Sequence, residues 1–147
     1  MKPEPLTQDQ LRARLQGSPF VRFMGLEPVG FDAGLETLSL RIAFRPEFQR
    51  GNEPLRWHGG LLSALIDTAG DFVVIALTGH VPPTVNFRID YLKPAVGPHL
   101  VAKAILRRQG RSMAFVDVDV LDESGALVAL GRANYSMAGY QPPGERP

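Results

Sequence analysis

Trp57-His58-Gly59-Gly60 runs directly into Leu61-Leu62-Ser63-Ala64-Leu65-Ile66-Asp67-Thr68-Ala69, and the reading of this stretch decides the fold. A histidine and two glycines open an apolar segment that continues through Phe72, Val73, Val74, Ile75 and Leu77. The pattern predicts one long helix from about His58 to Leu77. Its residues leave little polar surface, and a helix apolar nearly all round is a buried helix. A carboxylate, Asp67, stands deep inside it, where burial is costly unless the group is paired or used. The bare amides of a helix start bind developing negative charge. The two features together point to a catalytic site.

Outward from the helix, three segments alternate with period two. Leu38, Leu40, Ile42 and Phe44 alternate with polar or small residues, as do Val85, Phe87, Ile89 and Tyr91, and Ala114, Val116, Val118 and Val120. Each is the pattern of a strand with one covered face. His99 to Arg108 and Leu127 to Met137 are weaker strands. Gln109-Gly110-Arg111 and Glu123-Ser124-Gly125 make short turns, so the last three strands form an antiparallel meander. Thr7 to Leu15 forms a short helix with Thr7 as N-cap and Gln10 in the capping-box position, ended by Gly17-Ser18-Pro19. Pro46 to Trp57 reads as a loop, and the Pro- and Gly-rich tail after Gly139 as frayed. There is no internal repeat. These elements predict an α+β architecture, a single antiparallel sheet wrapped around one central helix. One domain occupies residues 1–147, with its core at about 20–138 and flexible ends. So short a sheet leaves open edges, which favours edge-to-edge dimerisation.

The 147 residues are 44% hydrophobic and 21% charged, a globular composition, and a formal net charge of +1 does not suggest a nucleic-acid partner. With no cysteine there is no disulfide framework and no thiolate nucleophile. Met1-Lys2-Pro3-Glu4-Pro5 lacks the basic start and apolar core of a signal peptide. The apolar run Phe72 to Leu77 is too short to span a bilayer. The expectation is a cytoplasmic protein without a membrane partner.

Gly59 and Gly60 carry amides that no side chain obstructs, suited to polarise a carbonyl and hold an oxyanion. The plainer alternative is that His58 caps the helix and the glycines permit a tight turn. Asp67 can act as nucleophile or as general base on water, or be a core acid satisfied by a neighbour. Asp71, one turn later, shares that face or lies at the rim of a pocket or in solvent. From Gly59 to Asp67 is 67 − 59 = 8 residues, about 12 Å of helix rise. Both groups must approach one reacting group within about 3 Å, so one helix cannot supply both. Two antiparallel copies can, each lending its glycine end to the other's acid. Asn52, in the loop before His58, is placed to bind a substrate carbonyl or water, or simply to turn the chain. Thr84 begins a strand, or holds a water beside Asp67. Arg107, Arg108 and Arg111 flank a tight turn as a solvated surface or as phosphate ligands. There is no phosphate loop and no nucleophile elbow. Three histidines without cysteine argue against a metal site, and nothing calls for a cofactor.

Asn52, His58-Gly59-Gly60, Leu65-Ile66-Asp67-Thr68-Ala69, the segment Val85 to Ala95 with its Tyr91-Leu92-Lys93-Pro94-Ala95, and the Gln109-Gly110-Arg111-Ser112 turn occur together and in order. They resemble the hotdog-fold acyl-CoA thioesterases of the phenylacetate-degradation (PaaI-like) type, from about Phe20 to Met137. The resemblance implies a hotdog fold and an acyl-CoA substrate. It implies that Gly59 polarises the thioester carbonyl with Asn52 near the same end, and that Asp67 comes from the opposite subunit. It implies that Thr84 helps position water, that His58 shapes the helix start, and that Gly60 and Arg111 meet the substrate. It implies a homodimer, and in many members of the family two dimers pair into a homotetramer. The alternatives are a non-hydrolytic acyl-CoA or lipid-binding protein on the same scaffold, and a hydratase. Phe72, Val73 and Phe87 are the expected walls of an apolar acyl pocket.

Overall fold

The computed structural model describes residues 3–144. Two short helices lead in, α1 (Gln8–Gly17) and α2 (Pro19–Met24), followed by strands β1 (Glu27–Asp32) and β2 (Thr37–Ala43). The long helix α3 (Gly59–Thr78) comes next, then β3 (Thr84–Tyr91), β4 (His99–Gln109), β5 (Met113–Leu121) and β6 (Leu127–Ser136). The six strands form one antiparallel sheet in the order β1-β2-β4-β5-β6-β3.

The sheet can wrap the helix because its inner face carries small residues where α3 lies closest. Ala102 and Ala104 on β4 face Val120 and Val118 on β5, which in turn face Ala129 and Gly131 on β6. A Cβ added to Gly131 would stand 2.7 Å from Ile66 Cγ2 and 2.9 Å from the Arg88 carbonyl. The helix side chain therefore sits in the notch that the missing methyl leaves. Leu65, Ile66, Ala69, Val73 and Val74 are fully buried against this surface. At 20 residues and a mean hydropathy of 1.8, α3 is long and apolar enough to cross a membrane, a possibility that the Phe72 to Leu77 run alone did not reveal. Here most of its length is buried in the core.

The outer face is polar and cross-paired. Asp117 on β5 accepts from Arg132 Nε at 2.6 Å and from Arg107 Nε at 2.8 Å, the cross-strand charge pairing that stabilises sheets. The β5–β6 turn is closed by Asp122, whose Oδ1 accepts from the Ser124 and Ala126 amides, each at 3.0 Å.

The capping box at Thr7 and Gln10 is present, and the last three strands form the expected meander. Two elements depart from the sequence reading. Ser18 does not merely end α1. Its hydroxyl accepts from the Val21 amide and caps a second helix, with Pro19 in the first turn, where its missing N–H costs nothing. The segment Glu27–Asp32 is a strand despite Pro28 and Gly30, because it is an edge strand with a bulge between those two residues. Near both ends the described chain touches the body of the fold. The Leu6 amide donates to the Ala76 carbonyl at 2.8 Å, and Tyr140 packs on His80 with ring centroids 5.5 Å apart. Residues 1–2 and 145–147 lie outside those described, and the expectation for them with it.

β3 breaks the pattern more seriously. Its alternation predicts one covered face, yet β3 is the other edge strand, paired to β6 alone, and stays exposed along most of its length. Val85 is 54% and Phe87 39% exposed.

Candidate active site

The start of α3 is fixed by the loop before it. Phe44 and Phe48 pack on Trp57, with ring centroids at 5.2 and 6.1 Å, and the indole N–H donates to the Gly97 carbonyl at 3.0 Å. The Trp57 amide donates to Ala95 and the His58 amide to Phe48. His58 then caps the helix: its Nδ1 accepts from the Gly60 amide at 2.9 Å. Its carbonyl accepts from Leu61 at 3.0 Å and Leu62 at 3.4 Å. A helix leaves four amides unpaired at its start. Here those of His58, Gly60 and Leu61 are taken, and that of Gly59 has no acceptor among the described residues.

This divides the two glycines. The Gly60 amide, expected to meet substrate, is held by the His58 ring, and a Cβ at Gly60 would stand only 3.0 Å from that Nδ1. Gly60 makes the cap possible, and Gly59 keeps the free donor. From the far side the Tyr91 hydroxyl donates to the Gly59 carbonyl at 2.9 Å and lies 2.7 Å from Ser63 Oγ. Sequence reasoning missed both side chains. Ser63, one turn after Gly59, is within reach of a helix-spacing argument; Tyr91 stands in a strand and in the segment that carries the resemblance, but neither gives it a role beside Gly59.

A cavity of about 560 Å³ opens beside Gly59, lined also by His58, Leu62 and Tyr91 and by the basic residues Arg50, Arg56 and Lys93. Arg56 is ion-paired with Glu53 and Lys93 with Asp122 at 3.3 Å, while Arg50 is exposed. Asn52 sits on the exposed turn between Arg50 and Arg56 and does not line this cavity. Arg111 stands on the exposed β4–β5 turn and lines neither this cavity nor the one around Asp67.

Two turns along α3, Asp67 lines a separate cavity of about 480 Å³ with Thr68, Asp71, Phe72, Ile75 and Thr84; α1 and α2 contribute Arg14 and Val21. Thr84, the first residue of β3, donates its hydroxyl to Asp67 Oδ1 at 2.9 Å. The Asp67 backbone carbonyl accepts from the Tyr135 hydroxyl at 2.7 Å. Tyr135 reaches it because position 70 is glycine: a Cβ there would lie 2.2 Å from the hydroxyl oxygen. Nothing in the sequence links Tyr135 to Asp67 across this separation. Burial, with Asp67 and Asp71 nearby, makes the Tyr135 hydroxyl far less acidic than an ordinary tyrosine, so it stays a donor.

Asp71 lines the same cavity as Asp67 instead of facing solvent. Burial first, and the Asp67 charge second, raise its pKa from the ordinary 3.8 to about 7. Of the expected pocket walls, Phe72 lines this cavity, Val73 is wholly within the core, and Phe87 lies on the exposed edge. Among the described residues no cluster of three His, Cys, Asp or Glu side chains is placed to hold a metal ion.

One chain thus carries a free amide donor in one cavity and an oriented carboxylate in another. Residues 56–129 match the family model of the thioesterase superfamily. The chain is 32% identical over 114 residues to acyl-coenzyme A thioesterase 13 of Mus musculus, across 70% of this chain and 81% of that protein. A solved thioesterase-superfamily protein superposes with a TM-score of 0.82 at 33% identity, over 88% of this chain and 96% of its own. The PaaI protein from the phenylacetic acid degradation operon of E. coli superposes with a TM-score of 0.78 at 21% identity, over 90% and 94% of the two chains. That likeness establishes a shared hotdog fold.

Proposed function

Since the chain belongs to the thioesterase superfamily, we propose that it hydrolyses an acyl-CoA thioester to free acid and CoA in a cleft shared by two copies. The observation that carries this reading is the separation of Gly59 and Asp67 into different cavities of one chain. Neither cavity holds both an oxyanion donor and a base. An antiparallel second copy brings its own Gly59 to the first copy's Asp67, and the exposed edge strand β3, which begins at Thr84, is the surface through which the copies meet.

In this arrangement the Gly59 amide donates to the thioester carbonyl oxygen and stabilises the oxyanion as it forms. Asp67 is held by Thr84 through one oxygen, which leaves the other for a water molecule. As general base, Asp67 takes a proton from that water while the oxygen attacks the carbonyl carbon. Collapse of the oxyanion breaks the C–S bond, and the departing thiolate picks up a proton. As nucleophile, Asp67 forms a mixed anhydride that water then opens; both routes use the same two groups. The apolar side chains Val21, Phe72 and Ile75 beside Asp67 suit an acyl group. Arg50, Arg56 and Lys93 beside Gly59 suit the phosphates of CoA, a role that sequence reading gave to Arg111.

The test uses two variants, each lacking one half of the site. Asp67→Ala removes the base. Gly59→Pro removes the amide and keeps the helix start, because proline is tolerated at the first helical position and His58 already has the extended backbone (ψ 133°) that precedes proline; the added ring stands against Tyr91, its Cβ 3.4 Å from Cε1. Thiol release from a panel of acyl-CoAs should fall about 10²–10⁴-fold in Asp67→Ala and about 10²–10³-fold in Gly59→Pro. Mixed after co-refolding, the two inactive proteins should recover roughly a quarter of wild-type activity. Half the dimers are then heterodimers, each with one intact site of two. A mixture as inactive as its components sinks the shared cleft.

A further inference from the structure

Asp67 and Asp71 stand one helical turn apart, on neighbouring positions of one helix face, and both line the cavity of about 480 Å³. Their surroundings differ. Asp67 Oδ1 accepts the Thr84 hydroxyl. Asp71 Oδ1 is buried with no hydrogen-bond partner. An ionised carboxylate with an orphaned, buried oxygen is far costlier than the neutral acid, whose carbonyl oxygen carries little charge.

The other groups facing the pair do not offset a second negative charge. Tyr135 on β6 gives its hydroxyl proton to the Asp67 backbone carbonyl and not to a carboxylate. Arg14 on α1 lines the cavity but forms no ion pair with either acid among the described residues. Thr84 on β3 is uncharged and already donates to Asp67.

We propose that Asp71 is a positioning residue of this site, working as a neutral carboxylic acid that keeps Asp67 the single anion of the cavity and sets a hydrogen-bond donor beside it. The proposal rests on Asp67 acting as base or nucleophile. The physical reason lies in the transition state. Attack on the thioester places negative charge on the carbonyl oxygen, and a second carboxylate one turn from Asp67 opposes that charge in a partly desolvated cleft. Loss of the Asp71 proton therefore turns the site down without touching the reacting atoms. The burial of Asp71 puts that loss at about pH 7, inside the working range of most enzymes.

The experiment is the pH profile of kcat/KM for one acyl-CoA that the wild type hydrolyses, repeated with Asp71→Asn, Asp71→Ala and Asp67→Asn. The wild type should fall above about 7, as Asp71 loses its proton. Asp71→Asn has the shape and donor capacity of the neutral acid at every pH. It should keep plateau activity within about threefold and lose the fall. Asp71→Ala should also lose the fall, with a plateau lower by about tenfold because the donor is gone. A fall near pH 7 that persists unchanged in Asp71→Asn overturns the role of Asp71 while leaving Asp67 as base. Wild-type activity in Asp67→Asn overturns both readings together, so the two failures are distinguishable.

Discussion

At the scale of single residues, the structure gives neighbouring groups of like chemistry different tasks. Gly59 and Gly60 are adjacent, but the His58 ring claims one amide and leaves the other. Asp67 and Asp71 share a helix face, but one is hydrogen-bonded and the other has a buried oxygen without a partner. The second contrast has a consequence for stability. The pKa of Asp71 in the fold, about 7, lies above its ordinary 3.8. Between those values the folded protein holds a proton that the unfolded chain has released, so this group's contribution declines as pH rises. It is fully present below about pH 4 and levels off above about pH 7. Thermal melts of the wild type and Asp71→Asn should therefore diverge with pH. The wild type should lose ground steadily from pH 4 to pH 7, on the order of a few kcal/mol at most. Parallel curves across that window would show that Asp71 is not held neutral.

At the scale of elements, the contact between α3 and β6 depends on glycines that let backbone and side chain approach. Gly70 is such a point: the Tyr135 hydroxyl occupies the space a methyl would take and donates to the carbonyl of Asp67. Gly70→Ala should cost about 1–3 kcal/mol as the ring is pushed away. Tyr135→Phe, which removes only the hydroxyl, should cost about 1 kcal/mol. The double variant relieves the 2.2 Å conflict, so it should be less destabilised than the sum of the singles, by on the order of 1 kcal/mol. Additive losses in denaturant unfolding would show that the hydroxyl is not what position 70 accommodates. The elements that sequence reading missed are instructive here. Pro28 and Gly30 argue against a strand by propensity, but an edge strand needs fewer ladder bonds and tolerates a bulge. The single turn or two of α2 is too short for periodicity to register.

At the scale of the whole molecule, β3 carries apolar side chains that one chain does not cover. Phe87 lies opposite Ala133, on the side of the sheet where the core lies, yet is 39% exposed, and Val85 on the same strand is 54% exposed. An edge of this kind is a ready surface for a second copy. Phe87→Asp places a charge on that surface without touching Gly59 or Asp67. It should shift the solution mass, measured by light scattering, from dimer toward monomer. Thiol release should fall in step, and raising the protein concentration should restore both. A fully active monomer would contradict the shared cleft.

The sequence by itself determined the central helix and five of the six described strands, and it singled out Gly59 and Asp67 as candidate ends of a site. Apolar periodicity, the His-Gly-Gly start and an acid in an oily helix are local signals, each carried by residues close together in the chain. It also implied, from helix rise alone, that Gly59 and Asp67 cannot serve one substrate within one chain. Only the tertiary structure decided which amide stays free, that Asp71 faces Asp67's cavity with a buried oxygen lacking a partner, and that Tyr135 and Tyr91 hold the two ends of the site. It also set Arg50, Arg56 and Lys93 beside Gly59. These outcomes depend on contacts between residues far apart in the chain, and on burial. Neither is encoded in the spacing of neighbours; both exist only once the sheet has closed around the helix.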